Sequence, residues 1–301
     1  MTNQSYFKIK KMNLFKLNSL SLTAIFILLG LQIGQAQQEW RAAVGGQFYF
    51  AELAASEQGT FRSGSEPSVG LNLGVSRGLN DNWSIHSGIG VSYIQTRNSF
   101  DNYSDVENTT DLEGEPFEFR YALTNYSEKQ QSMLLSIPIS VQYESSGSQT
   151  RFYTKLGASA NFFLGSTSTG SASDLTTSGF YERFNGELTA PRFAGFGQFN
   201  DIEFSQQDAD ISNSYNLFLE LGIKEQIVPN HWLYVGVFVE YGLNDLSNNN
   251  GSSLVQYNQN QPMDFINNSV INAANQATGN AFFDKMNLTM AGVRLYYDFG
   301  L

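Results

Sequence analysis

The chain has 301 residues, 41% hydrophobic and 15% charged, with 24 Phe, 15 Tyr, 27 Gly and no Cys. Aromatic and glycine enrichment with so little charge points to all-β structure, and the missing cysteine excludes disulfides, thiolate catalysis and cysteine-based zinc sites. A net charge of −11 argues against nucleic acid and against bare anionic lipid headgroups as partners.

Residues 1–36 read as a secretory signal. Lys8, Lys10, Lys11 and Lys16 precede an apolar run from Leu20 to Ile33, and Gly34-Gln35-Ala36 supplies small residues for cleavage after Ala36. The run is shorter than the ~20 residues a membrane-spanning helix needs. Loss of those four lysines takes the mature chain, 37–301, to a charge near −15.

From there the pattern is alternation, the signature of strands with two unlike faces. Trp40 to Leu53 sets Ala42, Val44, Phe48 and Phe50 against Arg41, Gln47 and Tyr49. Ser68 to Leu79 sets Val69, Leu71, Leu73 and Val75 against Gly70, Asn72 and Gly74. A third strand runs from Trp83 to about Phe100. In the fourth, LLSIPISVQYE, Met133 to Tyr143 are apolar at odd positions, and Ser136, Pro138, Ser140 and Gln142 oppose them. Four more are predicted at Arg151 to about Gly165, Ser214 to Val228, Trp232 to about Asp245, and Met286 to Leu301. Pro138 cannot donate to a ladder, so one neighbouring carbonyl should lack its partner; a bulge or a group in the lumen is expected to compensate.

Connections of about 14, 30, 45 and 40 residues alternate with tight turns at 80–82, 146–149 and 229–231. An up-and-down barrel in an outer membrane sorts its loops in this way, short on the periplasmic side and long outside. Trp40, Trp83 and Trp232 then start strands at the periplasmic rim. With Tyr143, Phe152, Tyr297 and Phe299 they are expected to form an interfacial aromatic girdle, although Trp232 has inward parity and could cap the lumen instead. A soluble ligand-carrying barrel would turn its polar face to water and fill it with Lys and Glu. Here that face is Gly, Ser and Asn, suited to a crowded interior, so the apolar face is assigned to lipid.

LSIPISVQY followed by FYTKLGASANFFLG, and the ending AGVRLYYDFGL, resemble the PorT-like outer-membrane β-barrel family. The resemblance implies an eight-stranded antiparallel transmembrane β-barrel inserted by the barrel-assembly machinery, and a component of a protein-secretion apparatus as one role.

Charged residues with inward parity are Arg41, Lys155, Glu220, Lys224, Glu240, Arg294 and Asp298, which should pair because an unpaired buried charge is costly. No catalytic residue, cofactor or metal site is predicted: His86 starts near the periplasmic end of its strand, and acid-rich Asp101 to Glu115 lacks the glycine spacing of a calcium-binding loop and reads as a solvated loop. Residues 173–213 carry Phe184, Phe193, Phe196, Phe199 and Phe204, read either as a lid on the barrel mouth or as contacts for a partner. The expected protein is thus a non-enzymatic scaffold in the outer membrane, in contact with its lipid, with surface or secretion proteins as partners. The alternatives are the secretion component and an outer-membrane enzyme acting on lipid.

Overall fold

The structure, a computed structural model, describes residues 40–57 and 61–301; the expected signal segment lies outside the described residues. Eight long strands are β1 (Trp40–Glu57), β2 (Arg62–Gly78), β3 (Trp83–Thr110), β4 (Pro116–Glu144), β5 (Thr150–Tyr181), β9 (Ser214–Val228), β10 (His231–Gly242) and β13 (Phe283–Gly300). Each pairs antiparallel with its successor, and β13 pairs with β1, so Phe48 faces Val293 on one side and Val69 on the other. The ring is closed. Five short strands occupy the last two long connections: β6 (Gly186–Leu188), β7 (Gly197–Glu203), β8 (Gln207–Asp208), β11 (Val255–Gln256) and β12 (Ile266–Asn267).

The apolar face points outward. Leu71, Leu73, Ile139, Leu156, Val237 and Leu295 are exposed on the barrel wall, whereas Tyr49, Phe218 and Phe238 are buried inside it. On β3 the outward apolar positions span Trp83 to Tyr93, about 25 Å at ~3.3 Å per residue and ~40° tilt, the height of an outer-membrane hydrocarbon band. The small inward residues are required by this crowding. A side chain at Gly292 would start 2.4 Å from Cβ of Tyr49, so only glycine lets that tyrosine cross the lumen.

Pro138 sits in the β3–β4 ladder without a bulge. Pairing skips Gly88–Pro138 and Ile89–Ile137 and resumes at Gly90–Ser136 in the same register, as expected when a single N–H is missing. Ser87 Oγ donates to the Pro138 carbonyl at 2.9 Å.

The outer connections differ most from expectation. Asp101 to Glu115 is not a loop: β3 and β4 stay paired up to Thr110–Pro116, and only 111–115 turns. β5 likewise continues to Tyr181, and β6, β7 and β8 fold back along it. Sequence alternation hides this, because the buried positions change parity on all three strands at one level. On β4 they are even from Tyr126 to Glu144 and odd from Phe117 to Leu123, the switch falling at Asn125, whose φ is +51°. Facing β3 and β5 switch near Asp101 and Ser173, so the strands remain in register while their faces rotate together.

Candidate functional site

Two compartments hold the polar chemistry. Inside the barrel, Arg294 donates to Glu220 (3.0 Å), Glu240 (3.3 Å) and Gln47 (2.9 Å), and its guanidinium lies 3.7 Å from the centroid of Phe238. Tyr153 OH donates to Glu220 at 2.7 Å, and Lys155 Nζ stands 3.8 Å from the same carboxylate. Glu240 also accepts from Ser159, Asn161 and Asn216. Both carboxylates are therefore bonded on each oxygen, which is what burial demands of a charge.

Nearer the periplasmic rim, Arg41 pairs with Asp298 (2.5 Å) and with the Asn230 side chain (2.7 Å), and Lys224 pairs with Glu144. All seven charges with inward parity thus lie in this network. Glu144 and Arg151 belong to it as well and were not singled out, although both stand at inward positions. Trp232 is not part of the girdle: it is buried in the lumen, with Lys224 4.4 Å from its ring centroid. Trp40, Trp83, Tyr143, Phe152 and Tyr297 are exposed on the wall, and Phe299 is half-buried beside them. An outer ring of Phe50, Tyr93, Tyr215 and Tyr241 completes the belt at its other edge; its signal was the same outward parity at the far strand ends.

The lumenal cavity left by these groups has a volume of about 90 Å³, space for a small group of waters. His86 Nε2 is 2.8 Å from Ser84 Oγ in this lumen. Among the described residues no cluster of His, Asp and Glu is placed to hold a metal ion.

Above the belt, the extended strands form a lobe whose apolar core is continuous with the upper lumen through Tyr49, Leu134, Phe238 and Met290. Phe117, Phe119, Tyr121 and Leu123 from β4 and Leu175 from β5 pack against Leu254, Val255, Tyr257, Phe265, Val270 and Ile271 of the last connection. This connection, 243–282, packs against the buried faces of those strands. Three acids of the β3–β4 hairpin fix it by accepting its backbone N–H groups: Asp105 from Gln276 and Ala277 (2.8 and 3.1 Å), Glu107 from Tyr257 (3.0 Å), and Glu128 from Val270 (2.9 Å). Burial raises the pKa of Glu107 and Glu128, against the pull of these donors. The acid-rich stretch is therefore structural cement rather than a solvated loop.

The loop phenylalanines separate into two groups. Phe196, Phe199 and Phe204 are buried in the lobe core, so they are not contacts for a partner, whereas Phe184 and Phe193 are 67% and 75% exposed. Sequence could not distinguish them, because the core they join is built by segments distant in the chain.

Residues 20–248 match the family model of the outer membrane protein β-barrel domain. The chain belongs to that family. An outer-membrane barrel places the apolar belt in lipid, with the tight turns in the periplasm and the lobe outside the cell. Among solved structures, the barrel is similar to Neisserial surface protein A (14% identity, 86% of this chain and 97% of that one, TM-score 0.33). It is also similar to OprG of Pseudomonas aeruginosa (12%, 88% and 97%, 0.37) and to Ail of Yersinia pestis (12%, 87% and 99%, 0.29). No curated protein matches the chain.

Proposed function

We propose that this outer-membrane barrel is a non-enzymatic scaffold that presents a folded extracellular lobe to partner proteins and does not conduct solutes, residues 1–36 being removed as its export signal. The observation that carries this reading is the division of the molecule. Its lumen is filled by a bonded charge network, while roughly 55 Å of β3 beyond Tyr93, at ~3.3 Å per residue, is devoted to an external core. The distal end of that lobe joins three segments: Arg183 pairs with Glu115 (3.1 Å), Gln259 donates to the Asp111 carbonyl (2.5 Å), and Tyr257 OH donates to the Ala194 carbonyl (3.2 Å). Leu112, Phe184, Phe193 and Met263 are each exposed on those segments, large apolar side chains available for protein contact. His86 has Ser84 beside it but, among the described residues, no carboxylate bonded to its other nitrogen, so the pair lacks the third member of a nucleophilic triad.

Two measurements test the reading. Liposomes carrying the purified barrel should not swell in small sugars; swelling would overturn the closed lumen. A photo-crosslinking residue at position 193 on intact cells should give a discrete protein adduct that the same residue at lumenal position 238 does not. Absence of any adduct at 193 would remove the contact surface. The resemblance of LSIPISVQY and FYTKLGASANFFLG to PorT-like proteins supports a second reading, a component of a secretion apparatus; unchanged secreted protein in a deletion strain would remove it.

A further inference from the structure

On the outward face just above the lipid belt, Arg97 of β3 lies directly opposite Lys129 of β4. Like charges facing each other across a ladder repel. For Arg97 the repulsion is offset, because its Nε donates to Glu66 at 2.6 Å. That offset is shared by both partners, but Lys129 has no counter-charge of its own: its neighbour on β5 is Thr169, and among the described residues Lys129 makes no ion pair, hydrogen bond or ring contact. The two cations line a groove of about 330 Å³ together with Ser127, Gln131, Thr169 and Glu203. An anion from outside the chain would relieve the repulsion and accept hydrogen bonds from the hydroxyl and amide groups.

The position of the groove says where that anion comes from. Met133, exposed on the wall, ends the apolar positions of β4, and Lys129 stands two outward rows above it, about 10 Å at ~3.3 Å per residue and ~40° tilt. Snorkelling of a lysine stem shortens that gap further. The groove therefore lies just above the lipid-facing wall, at headgroup level.

We propose that it holds a phosphate of an outer-leaflet lipid headgroup, with Lys129 and Arg97 as its cations and Ser127, Gln131 and Thr169 as supporting donors. A compact ammonium is a point-charge ligand for phosphate, and a guanidinium adds directed N–H groups. The acidic balance of the chain, −11 in full, argues against general attraction to an anionic lipid surface but not against one local site, since fields from distant acids are screened within ~8 Å at physiological salt. Glu203 is the opposing group in the groove, and its charge weakens the site.

The test uses the full folded chain in phosphatidylcholine nanodiscs containing diphosphoryl lipid A, with the retained glycolipid counted by native mass spectrometry. Lys129→Gln should weaken retention roughly tenfold or more, the loss of one charge-assisted contact. Lys129→Arg should keep it, Glu203→Gln should strengthen it, and Arg192→Gln, at the distal end of the lobe, should leave it unchanged. Dephosphorylated lipid A should not be retained by the unaltered protein, an arm that decides the matter even if Lys129→Gln fails to fold by heat-dependent gel mobility. Equal retention by Lys129→Gln, equal retention of the dephosphorylated lipid, or displacement by equimolar inorganic phosphate would overturn the proposal.

Discussion

Arg294 on β13 and Glu220 on β9 are not on adjacent strands: they meet at 3.0 Å over Gly236 of the intervening β10, which faces Arg294 on one side and Gly222 on the other. A Cβ on Gly236 would stand 2.3 Å from Tyr153 OH and 3.2 Å from Glu220 Oε1, so the glycine is what permits the bridge. Removing the arginine leaves two buried carboxylates without their main counter-charge. Arg294→Met should therefore cost about 3–5 kcal/mol in urea unfolding from vesicles. Glu240→Gln added to it should recover part of that loss. A cost below about 1 kcal/mol would mean that solvent reaches the pair.

The lipid-facing assignment has its own test. Val237 is exposed at the middle of the wall, and an arginine there must reach an interface through hydrocarbon, at about 2–4 kcal/mol near the bilayer midplane. The same substitution at Leu112, exposed on the extracellular turn, should cost less than about 0.5 kcal/mol. Equal costs in the same unfolding assay would contradict the placement of the belt.

The barrel was legible because period-two alternation and sorted loop lengths are local signals, and each of the eight strands carries them between Trp40 and Leu301. Seven of the lumenal charges were legible for the same reason, Glu144 and Arg151 being missed, but the partners were not: Glu220 and Arg294 are joined by closure of a ring, which no local pattern records. The lobe was hidden more deeply. At Asn125, beyond Met133 and already inside the lobe, the buried parity inverts, so a reader following even positions loses the strand there. The acids at 105, 107 and 128 look solvated because their partners are backbone N–H groups of residues about 140 to 170 positions away.

Within the lobe, Phe196 and Phe193 should behave oppositely. Phe196 is 2% exposed, edge-on to Phe117 at 5.7 Å and close over Gly179; Phe193 is exposed. Phe196→Ala should destabilise the lobe by about 3–5 kcal/mol, seen as rapid proteolysis of 182–213 while heat-dependent gel mobility still reports a closed barrel. Phe193→Ala should leave proteolysis unchanged. If both variants were cut at the wild-type rate, the lobe core would not be a cooperative unit.

Docking of the last connection should depend on pH. Glu128, 0% exposed, accepts from Ser269 (2.5 Å) and Gln130 (2.8 Å) on one oxygen and from Tyr126 and Val270 (2.9 Å each) on the other. Burial nevertheless raises its pKa above the ordinary carboxylate value, and burial does the same to Glu107. An acid whose folded pKa lies above its unfolded one binds protons more tightly when folded. Its contribution is complete below the unfolded pKa and is lost as pH rises through the folded one. Hydrogen-exchange protection of the Val270 amide, corrected for intrinsic rate, should thus fall as pH rises above the ordinary carboxylate range, by roughly tenfold for each unit of the raise. Glu128→Gln should flatten that slope at Val270 and leave the one at Tyr257, whose N–H is held by Glu107 at 3.0 Å. Protection at Val270 that rises with pH would show that the four donors outweigh burial and hold the carboxylate as an anion.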